Sequence, residues 1–508
     1  MMQISALNKR LFLIFITLLF FNTLIIFYSN SIDDFAPESI GVALGHINGL
    51  TDSSETFYRW FMQIPGYNTL LVELLLLLKI DPYILPTSMI EFIPLLSCFF
   101  CLIYVLSHKN YLLSLLSTFF MFSLGNAGTY KFYIWPHALG VLLFTLILLN
   151  IYYFIKFQKK EFLIILIVLS ISLPYVSYNL TYLVLWVFIS IIFLNFIFNS
   201  KKPVFSKNLP YFSIILIIMI IEFSLSEFVY STFLPTLFNQ DFSSMDRALE
   251  IFMQYFFKSS NYQDIIIQEL LISTPKIIPI LHLIKYFIIS FICFFSVLLL
   301  IFKYKYFKNR IEIIYIFIAL ATSVIIYTFS RLFIGQFTFS EIIYPFFLSI
   351  IIISLYKQNF KKYINLLLII LIIINLFTIG IIHHYQLVQK DDYSYLQKTG
   401  DWITTNIGSN SIYIPDQLTF SWIFIEDVSK GYPIQLKYMA KKDIVNIYKI
   451  QEIPNDYIYV INYRPSYNLI GGWDSTKSFK YFKDEIYYNP SIKSKIYTYN
   501  NDITIVIT

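Results

Sequence analysis

The sequence predicts a polytopic α-helical membrane protein of about eleven transmembrane helices, with a small extracytoplasmic C-terminal α/β domain. Three observations lead there. The 508-residue chain is 57% hydrophobic and 13% charged, with mean hydropathy +0.66, where soluble domains carry about 25% charge. Basic residues recur in alternate loops. The composition turns mixed and charged near Gln386.

A helix needs about 20 apolar residues to cross a hydrocarbon core of about 30 Å. Runs of that kind lie near 11–29, 84–106, 111–127, 133–155, 161–178, 180–198, 209–230, 284–302, 312–332, 338–356 and 363–384. The first follows Lys9 and Arg10 and ends at Phe27–Asn30 without a small-x-small cleavage pattern, so it reads as a retained signal anchor. Pro174 and the polar Tyr178 and Asn179 break the stretch from 161 to 198.

Orientation follows from loop charge. Basic residues cluster at Lys9–Arg10, Lys109, Lys156–Lys160, Lys201–Lys207, Lys303–Arg310 and Lys357–Lys362. These are alternate loops, and the positive-inside rule assigns them to the cytoplasm together with the N-terminus. Loops 30–83, 128–132, 231–283 and 333–337, and the tail from 385, are then outside. Residues 67–80 are very apolar but short, and contain Glu73. Counting them as a crossing would invert every later loop, so they read as an interfacial or re-entrant helix on the outer face. The expected location is a plasma (inner) membrane, with membrane lipids as neighbours and no nucleic-acid partner.

The sequence divides into a membrane part, 1–385, with outer loops 30–83 and 231–283, and a tail, 386–508. The tail is long enough for a small domain. Tyr393, Leu396, Trp402 and Ile403 fit one helix face, stopped near Gly408. Ser411–Pro415 and Tyr457–Ile461 read as short buried strands. Ile496–Tyr499 and Ile503–Ile507, around the polar turn Asn500–Asp502, read as a hairpin. No Walker loop or G-x-G-x-x-G fingerprint occurs, which argues against an ATP-driven pump. The three cysteines, Cys98, Cys101 and Cys293, lie in apolar runs and read as buried small hydrophobes.

Candidate chemistry concentrates on the outer side. The adjacent acids Asp33 and Asp34 follow the first span and share their loop with Glu38, His46, Asp52, Glu55, Arg59 and Trp60. A carboxylate there can take a proton from an attacking hydroxyl, or hold a divalent metal such as Mg or Mn against a phosphate. Asp33 and Asp34 read equally as solvated acids after a helix. The short loop around Tyr130, Lys131, Tyr133, Trp135 and His137 has the look of an aromatic belt. Lys131 and His137 fit a belt less well, and a lysine there can neutralise a lipid phosphate. Arg331 ends the ninth span, and guanidinium binds phosphate with bidentate geometry. An ion pair with Glu341 explains Arg331 as readily. Glu38, Arg59, Lys131, Tyr133, His137 and Arg331 are the candidate substrate contacts. Glu222 and Glu227 lie in the seventh span, and Glu227, near its outer end, is a candidate for the same cavity. His108 and the pair His383–His384 lack nearby ligands and do not make a metal site.

This layout resembles the GT-C superfamily of membrane glycosyltransferases, which includes protein O-mannosyltransferases and lipid A aminoarabinose transferases. The resemblance is carried by one N-terminal span, an outer loop opening with Asp33–Asp34, the apolar segment 67–80, about ten further spans and an external tail. It covers nearly the whole chain as architecture, with the acidic pair as its one motif. It implies a sugar donor carried on a polyprenyl phosphate, an extracytoplasmic acceptor, and Asp33 or Asp34 as the base. Two other functions fit parts of the chain: a transporter or flippase of lipid-linked glycans, using Glu222 and Glu227, and a polymerase of such glycans. The long first loop and the external tail fit a transporter poorly, and a polymerase of this kind usually lacks a folded C-terminal domain.

Overall fold

The structure is a computed structural model. It describes residues 35–53, 55–79, 81–82, 92–126, 136–198, 208–226, 229, 277–307, 311–333, 343–356, 358–384, 394–406, 412–414, 423–425, 428, 436–438, 458–462, 494–499 and 503–507. The expected first span, the Asp33–Asp34 pair, the Lys131–Trp135 loop, Glu227 and the loop 231–276 lie outside these residues.

Helices account for most of the described chain, which is a membrane protein by the composition of those helices. In order they are α1 (Phe35–Ile47), α2 (Leu50–Ser53), α3 (Glu55–Gln63), α4 (Pro65–Leu78), α5 (Phe92–Leu106), α6 (Tyr111–Asn126), α7 (Pro136–Phe157) and α8 (Lys160–Ser172). Then come α9 (Tyr178–Phe198), α10 (Leu209–Leu225), α11 (Ile277–Phe302), α12 (Tyr304–Phe307), α13 (Ile311–Phe333), α14 (Ile343–Tyr356), α15 (Gln358–His384) and α16 (Ser394–Asn406). Among the described residues three stretches are long and apolar enough to cross a bilayer: Leu139–Phe157, Leu283–Phe302 and Phe360–Thr378. Seven further apolar helices are shorter.

The chain forms two compact units. One comprises residues 39–120 and 131–374; the other comprises 1–38, 121–130 and 375–508.

The first unit is built around α14. Every side chain from Ile343 to Ile353 is buried, as expected of a helix apolar on all sides. Phe347 meets Phe99 of α5 edge-on at 4.5 Å, Phe346 meets Phe120 of α6 at 5.5 Å, and Tyr344 meets Phe144 of α7 at 4.7 Å. Small hydroxyl residues allow close helix approach. Ser296 of α11 donates to Ser349 of α14 at 2.9 Å, and Ser190 of α9 pairs with Ser323 of α13 at 3.2 Å. Ser296, Ser323 and Ser349 also bond within their own helices, to the carbonyls of Cys293, Ala319 and Pro345. These hydroxyls are therefore satisfied in an apolar interior, where a bare one would be costly.

Peripheral helices bury only a stripe. In α10 the stripe is Phe212, Ile215, Met219 and Phe223, at spacings of three and four. Ile214, Ile217, Ile220 and Ile221 are exposed around it. On α11 the lipid-like face is Leu283, Ile284, Phe287, Phe291 and Phe294. Water would penalise such surfaces heavily; hydrocarbon does not.

The expected span 161–178 is a shorter helix than its apolar run. α8 stops at Ser172 and continues as a 3-10 turn, Leu173–Tyr175, with Pro174 inside it. Proline has no N–H for the α-helical ladder, so the chain tightens there and turns into α9.

In the second unit, Asn375 of α15 donates to Ser123 of α6 at 2.9 Å. The C-terminal part holds α16 and a five-stranded sheet in the order β2-β1-β3-β5-β4. The strands are β1 (Ile412–Ile414), β2 (Leu436–Tyr438), β3 (Ile458–Asn462), β4 (Ser494–Tyr499) and β5 (Ile503–Ile507). β1 runs parallel to β2 and β3, whereas β3–β5 and β4–β5 are antiparallel. Val460 faces Ile505 across the β3–β5 ladder. β2 has no counterpart among the strands expected from sequence.

Candidate functional site

The stretch that follows the expected first span is helical once past Asp34. α1 carries Glu38 in its first turn, then breaks at Asn48 and Gly49, where Gly49 takes φ +74°. A left-handed residue is what glycine permits at a tight reversal. The reversal brings the end of α1 against α2 and α3. His46 Nδ1 then lies 2.9 Å from Thr51 Oγ1, and its ring stacks on Phe61 at 4.4 Å. Asn68 at the start of α4 donates to the Phe61 carbonyl at 2.9 Å, fastening α4 to α3. His46 is thus fastened to this small helical knot while remaining exposed. Arg59, on α3, is exposed.

The apolar segment expected at the outer interface is α4. At 14 residues it is about 21 Å long, short of a bilayer core. One stripe is buried, formed by Tyr67, Asn68, Leu71 and Leu75, while Leu76, Leu77 and Leu78 are exposed. It ends with Lys79 in the left-handed conformation. Its N-terminus packs so tightly that a Cβ on Gly66 would sit 3.0 Å from Tyr175 Cβ and 3.1 Å from the Tyr175 carbonyl oxygen.

Tyr175 is the junction of this region. Its hydroxyl donates to the Glu222 carboxylate on α10. Two residues on, Ser177 presses against the start of α7: a Cβ on Gly140 would lie 2.5 Å from Ser177 Cβ and 2.9 Å from Leu180 Cδ1. Two residues into α9 from Leu180, Tyr182 meets Tyr327 of α13 with ring centroids 5.9 Å apart. These contacts gather the start of α4, the start of α7, the α8–α9 turn, the end of α10 and the end of α13 at one end of the bundle. It is the end that loop charge assigns to the outside.

Two sequence-predicted residues occupy helix positions at that end. His137 is the second residue of α7, three before Gly140. Arg331 lies one turn beyond Tyr327 on α13. Glu222 joins them through Tyr175. Asp33, Asp34, Lys131 and Tyr133 lie outside the described residues. Among the described residues, no group of three or more His, Cys, Asp or Glu side chains could hold a metal ion.

One residue escapes sequence reasoning. Lys285 of α11 is 1% exposed, with its ammonium 5.3 Å from the Tyr286 ring centroid. It falls on the inward stripe of its helix with Ile289, Ser296 and Leu300. A cation inside an otherwise apolar run is a visible sequence signal, since intramembrane charge is costly and serves a purpose. The run simply begins so close to Lys285 that the residue reads as a boundary marker. No family model matches the chain, and no curated protein matches it.

Proposed function

We propose that the chain is an integral membrane glycosyltransferase of the GT-C kind. It transfers a sugar from a polyprenyl-phosphate-linked donor to an extracytoplasmic glycan, lipid or protein acceptor. The observation that supports this reading most is the convergence of helix ends carrying His137, Arg331 and Glu222 with the helical first loop that follows Asp33 and Asp34. A donor anchored in the bilayer presents its phosphate at that depth. The proposal includes about eleven crossings, an external tail domain at 386–508 and an N-terminus in the cytoplasm.

In the proposed reaction, Asp33 or Asp34 takes the proton of the acceptor hydroxyl. The acceptor oxygen forms a bond to the anomeric carbon on the face opposite the phosphate. The carbon–oxygen bond to the phosphate breaks, and its electron pair leaves with the polyprenyl phosphate. Lys131 and Arg331 neutralise the charge that develops there, which is the larger electrostatic demand of the step. Displacement from the opposite face inverts the anomeric centre. Glu38, Arg59, Tyr133 and His137 are assigned to the sugar and acceptor. If a divalent ion takes part, Asp33 and Asp34 are the residues to hold it.

The test is transfer of labelled sugar from polyprenyl-phosphate donors in membranes, comparing wild type with Asp33→Asn and Asp34→Asn. Transfer lost in one variant, with protein level and donor binding retained, assigns the base. Transfer unchanged in both removes the acidic pair from the mechanism. No transfer by wild type across a broad donor and acceptor panel moves a flippase of lipid-linked glycans ahead of the transferase.

A further inference from the structure

At the end of the bundle that loop charge assigns to the cytoplasm, four elements close on one another through aromatic rings. The apolar stretch of α11 runs from Leu283 to Phe302 and stops at Lys303. The chain then turns into α12, with the Tyr306 N–H donating to the Lys303 carbonyl at 2.9 Å. The Tyr306 ring meets that of Tyr356, the last residue of α14, edge-on at 5.2 Å, and its hydroxyl donates to the Leu355 carbonyl at 3.3 Å. The buried ring of Phe307 lies 6.1 Å from the same tyrosine ring. Tyr356 in turn lies 5.8 Å from Phe360 of α15, and Phe360 lies 6.5 Å from Phe295 of α11. The contacts return to the helix they began on, so the end of α11, α12, the end of α14 and the start of α15 form one clasp.

The clasp fixes where three lysines stand. Lys303 lies between the last apolar turn of α11 and the turn held by Tyr306, and Lys361 and Lys362 follow Phe360 directly. Lys303 and Lys362 are exposed, and Lys361 is half-buried. Among the described residues their ammonium groups make no ion pair or hydrogen bond. Neither 302–311 nor 356–368 contains an acid, so no counter-ion comes from the neighbouring sequence. The first turn of α15 also lacks the acid that the positive end of a helix dipole favours. Apolar side chains stand exposed beside these cations: Phe302 on α11, and Tyr363 and Leu366 on α15. Lysines at a helix end are ordinary topological signals, held in the headgroup water on their apolar stems. These differ in coming from two helices that ring contacts hold together, with positive charge left uncompensated on both.

We propose that this clasp is a binding site for an anionic phospholipid, with its phosphate between Lys303 and the Lys361–Lys362 pair and its acyl chains along Phe302 and Leu366. Basic pockets between membrane helices on the cytoplasmic side take headgroups of this kind. An ammonium binds phosphate as a point charge and needs no fixed geometry. The net charge of the lipid matters, because a zwitterionic headgroup brings its own cation into a place that already holds three. The aromatic clasp sets the two helix ends before the lipid arrives, which lowers the ordering cost of binding. The site does not depend on the transferase reading, which concerns the end that loop charge assigns to the outside.

The experiment titrates the purified full chain in mild detergent with phosphatidylglycerol, and follows bound lipid by native mass spectrometry. Phosphatidylcholine and inorganic phosphate serve as competitors. Wild type is compared with Lys303→Gln/Lys362→Gln, with Lys303→Arg/Lys362→Arg, and with Lys159→Gln/Lys160→Gln, which removes two exposed lysines where α7 passes into α8. We expect Lys303→Gln/Lys362→Gln to weaken phosphatidylglycerol binding about 25-fold, at about fivefold per lysine. The arginine pair and the Lys159/Lys160 pair should stay within about threefold of wild type, since one keeps the charge and the other lies outside the clasp. Neither competitor should displace phosphatidylglycerol at equal concentration. A second readout needs no variant: amine acylation of Lys303 and Lys362 in wild type should be blocked by phosphatidylglycerol and not by phosphatidylcholine. No loss in Lys303→Gln/Lys362→Gln, or acylation equal in the two lipids, overturns the proposal. Equal losses in the two glutamine pairs make the effect one of surface charge in general and also overturn it. Displacement by phosphatidylcholine or by inorganic phosphate overturns the anionic-lipid identity. A wild type that retains no phosphatidylglycerol overturns the site outright, and each of these outcomes leaves the transferase reading standing.

Discussion

Gly140→Ala is the most demanding test of the packing at the proposed outer end. The new methyl carbon would lie 2.5 Å from Ser177 Cβ, 2.9 Å from Ser177 Oγ and 2.9 Å from Leu180 Cδ1. Carbon atoms rest about 3.5–4.0 Å apart. Ser177 Oγ and Leu180 Cδ1 can turn away by rotamer change. Ser177 Cβ cannot, because it is fixed to the backbone just ahead of α9. The start of α7 must therefore move off that turn by about 1 Å. Overpacking of this kind costs about 1–3 kcal/mol, or a fall of about 2–6 °C in Tm for a large cooperative unit. The assay is thermal unfolding of the purified chain in detergent, run as a double-mutant cycle with Ser177→Gly. Removing Ser177 Cβ relieves the fixed clash, so the loss from Gly140→Ala should fall by at least half in that background, giving a coupling of about 1 kcal/mol. An unchanged Tm for Gly140→Ala, or the same loss in both backgrounds, refutes the contact.

Two other outcomes test the fold elsewhere. The Ser296–Ser349 hydrogen bond should give a coupling of about 0.6 kcal/mol between Ser296→Ala and Ser349→Ala, the usual value for such bonds in membrane bundles, and simple additivity would count against the α11–α14 register. In a background without Cys98, Cys101 and Cys293, cysteine pairs at Tyr459/Val506 and Val460/Ile505 test the β3–β5 ladder. Adjacent antiparallel pairs alternate between about 4.5 and 5.5 Å in Cα separation, so both should cross-link and at unequal rates, whereas a one-residue slip would abolish both.

Much of the helical organisation is legible in the sequence because a bilayer demands long apolar runs, and such runs are visible without any partner. The expected segments at 133–155, 180–198, 312–332 and 363–384 coincide with α7, α9, α13 and α15 to within a few residues. The terminal hairpin is visible for a different reason: alternating apolar residues flank a polar turn. β2 is not, since Leu436–Tyr438 is three residues long and gains its identity only from pairing with β1. Lys285 shows the same limit at the site. Sequence places a cation near a helix end, but only packing decides whether it faces lipid or the bundle. The Ser296–Ser349 and Tyr175–Glu222 bonds join residues 53 and 47 apart, a separation at which no local pattern exists to read.

α4 carries a consequence for how the chain is made. Its sequence holds seven leucines and Val72 against the single carboxylate of Glu73. On the insertion scale each leucine favours the bilayer by about 0.3–0.6 kcal/mol, and a central acid opposes it by about 3 kcal/mol. The two contributions nearly cancel. A segment with that balance stands near the insertion threshold, and at about 21 Å α4 is too short to cross the core by itself. Glu73 is therefore the position at which a single substitution would most favour burying α4 in the bilayer.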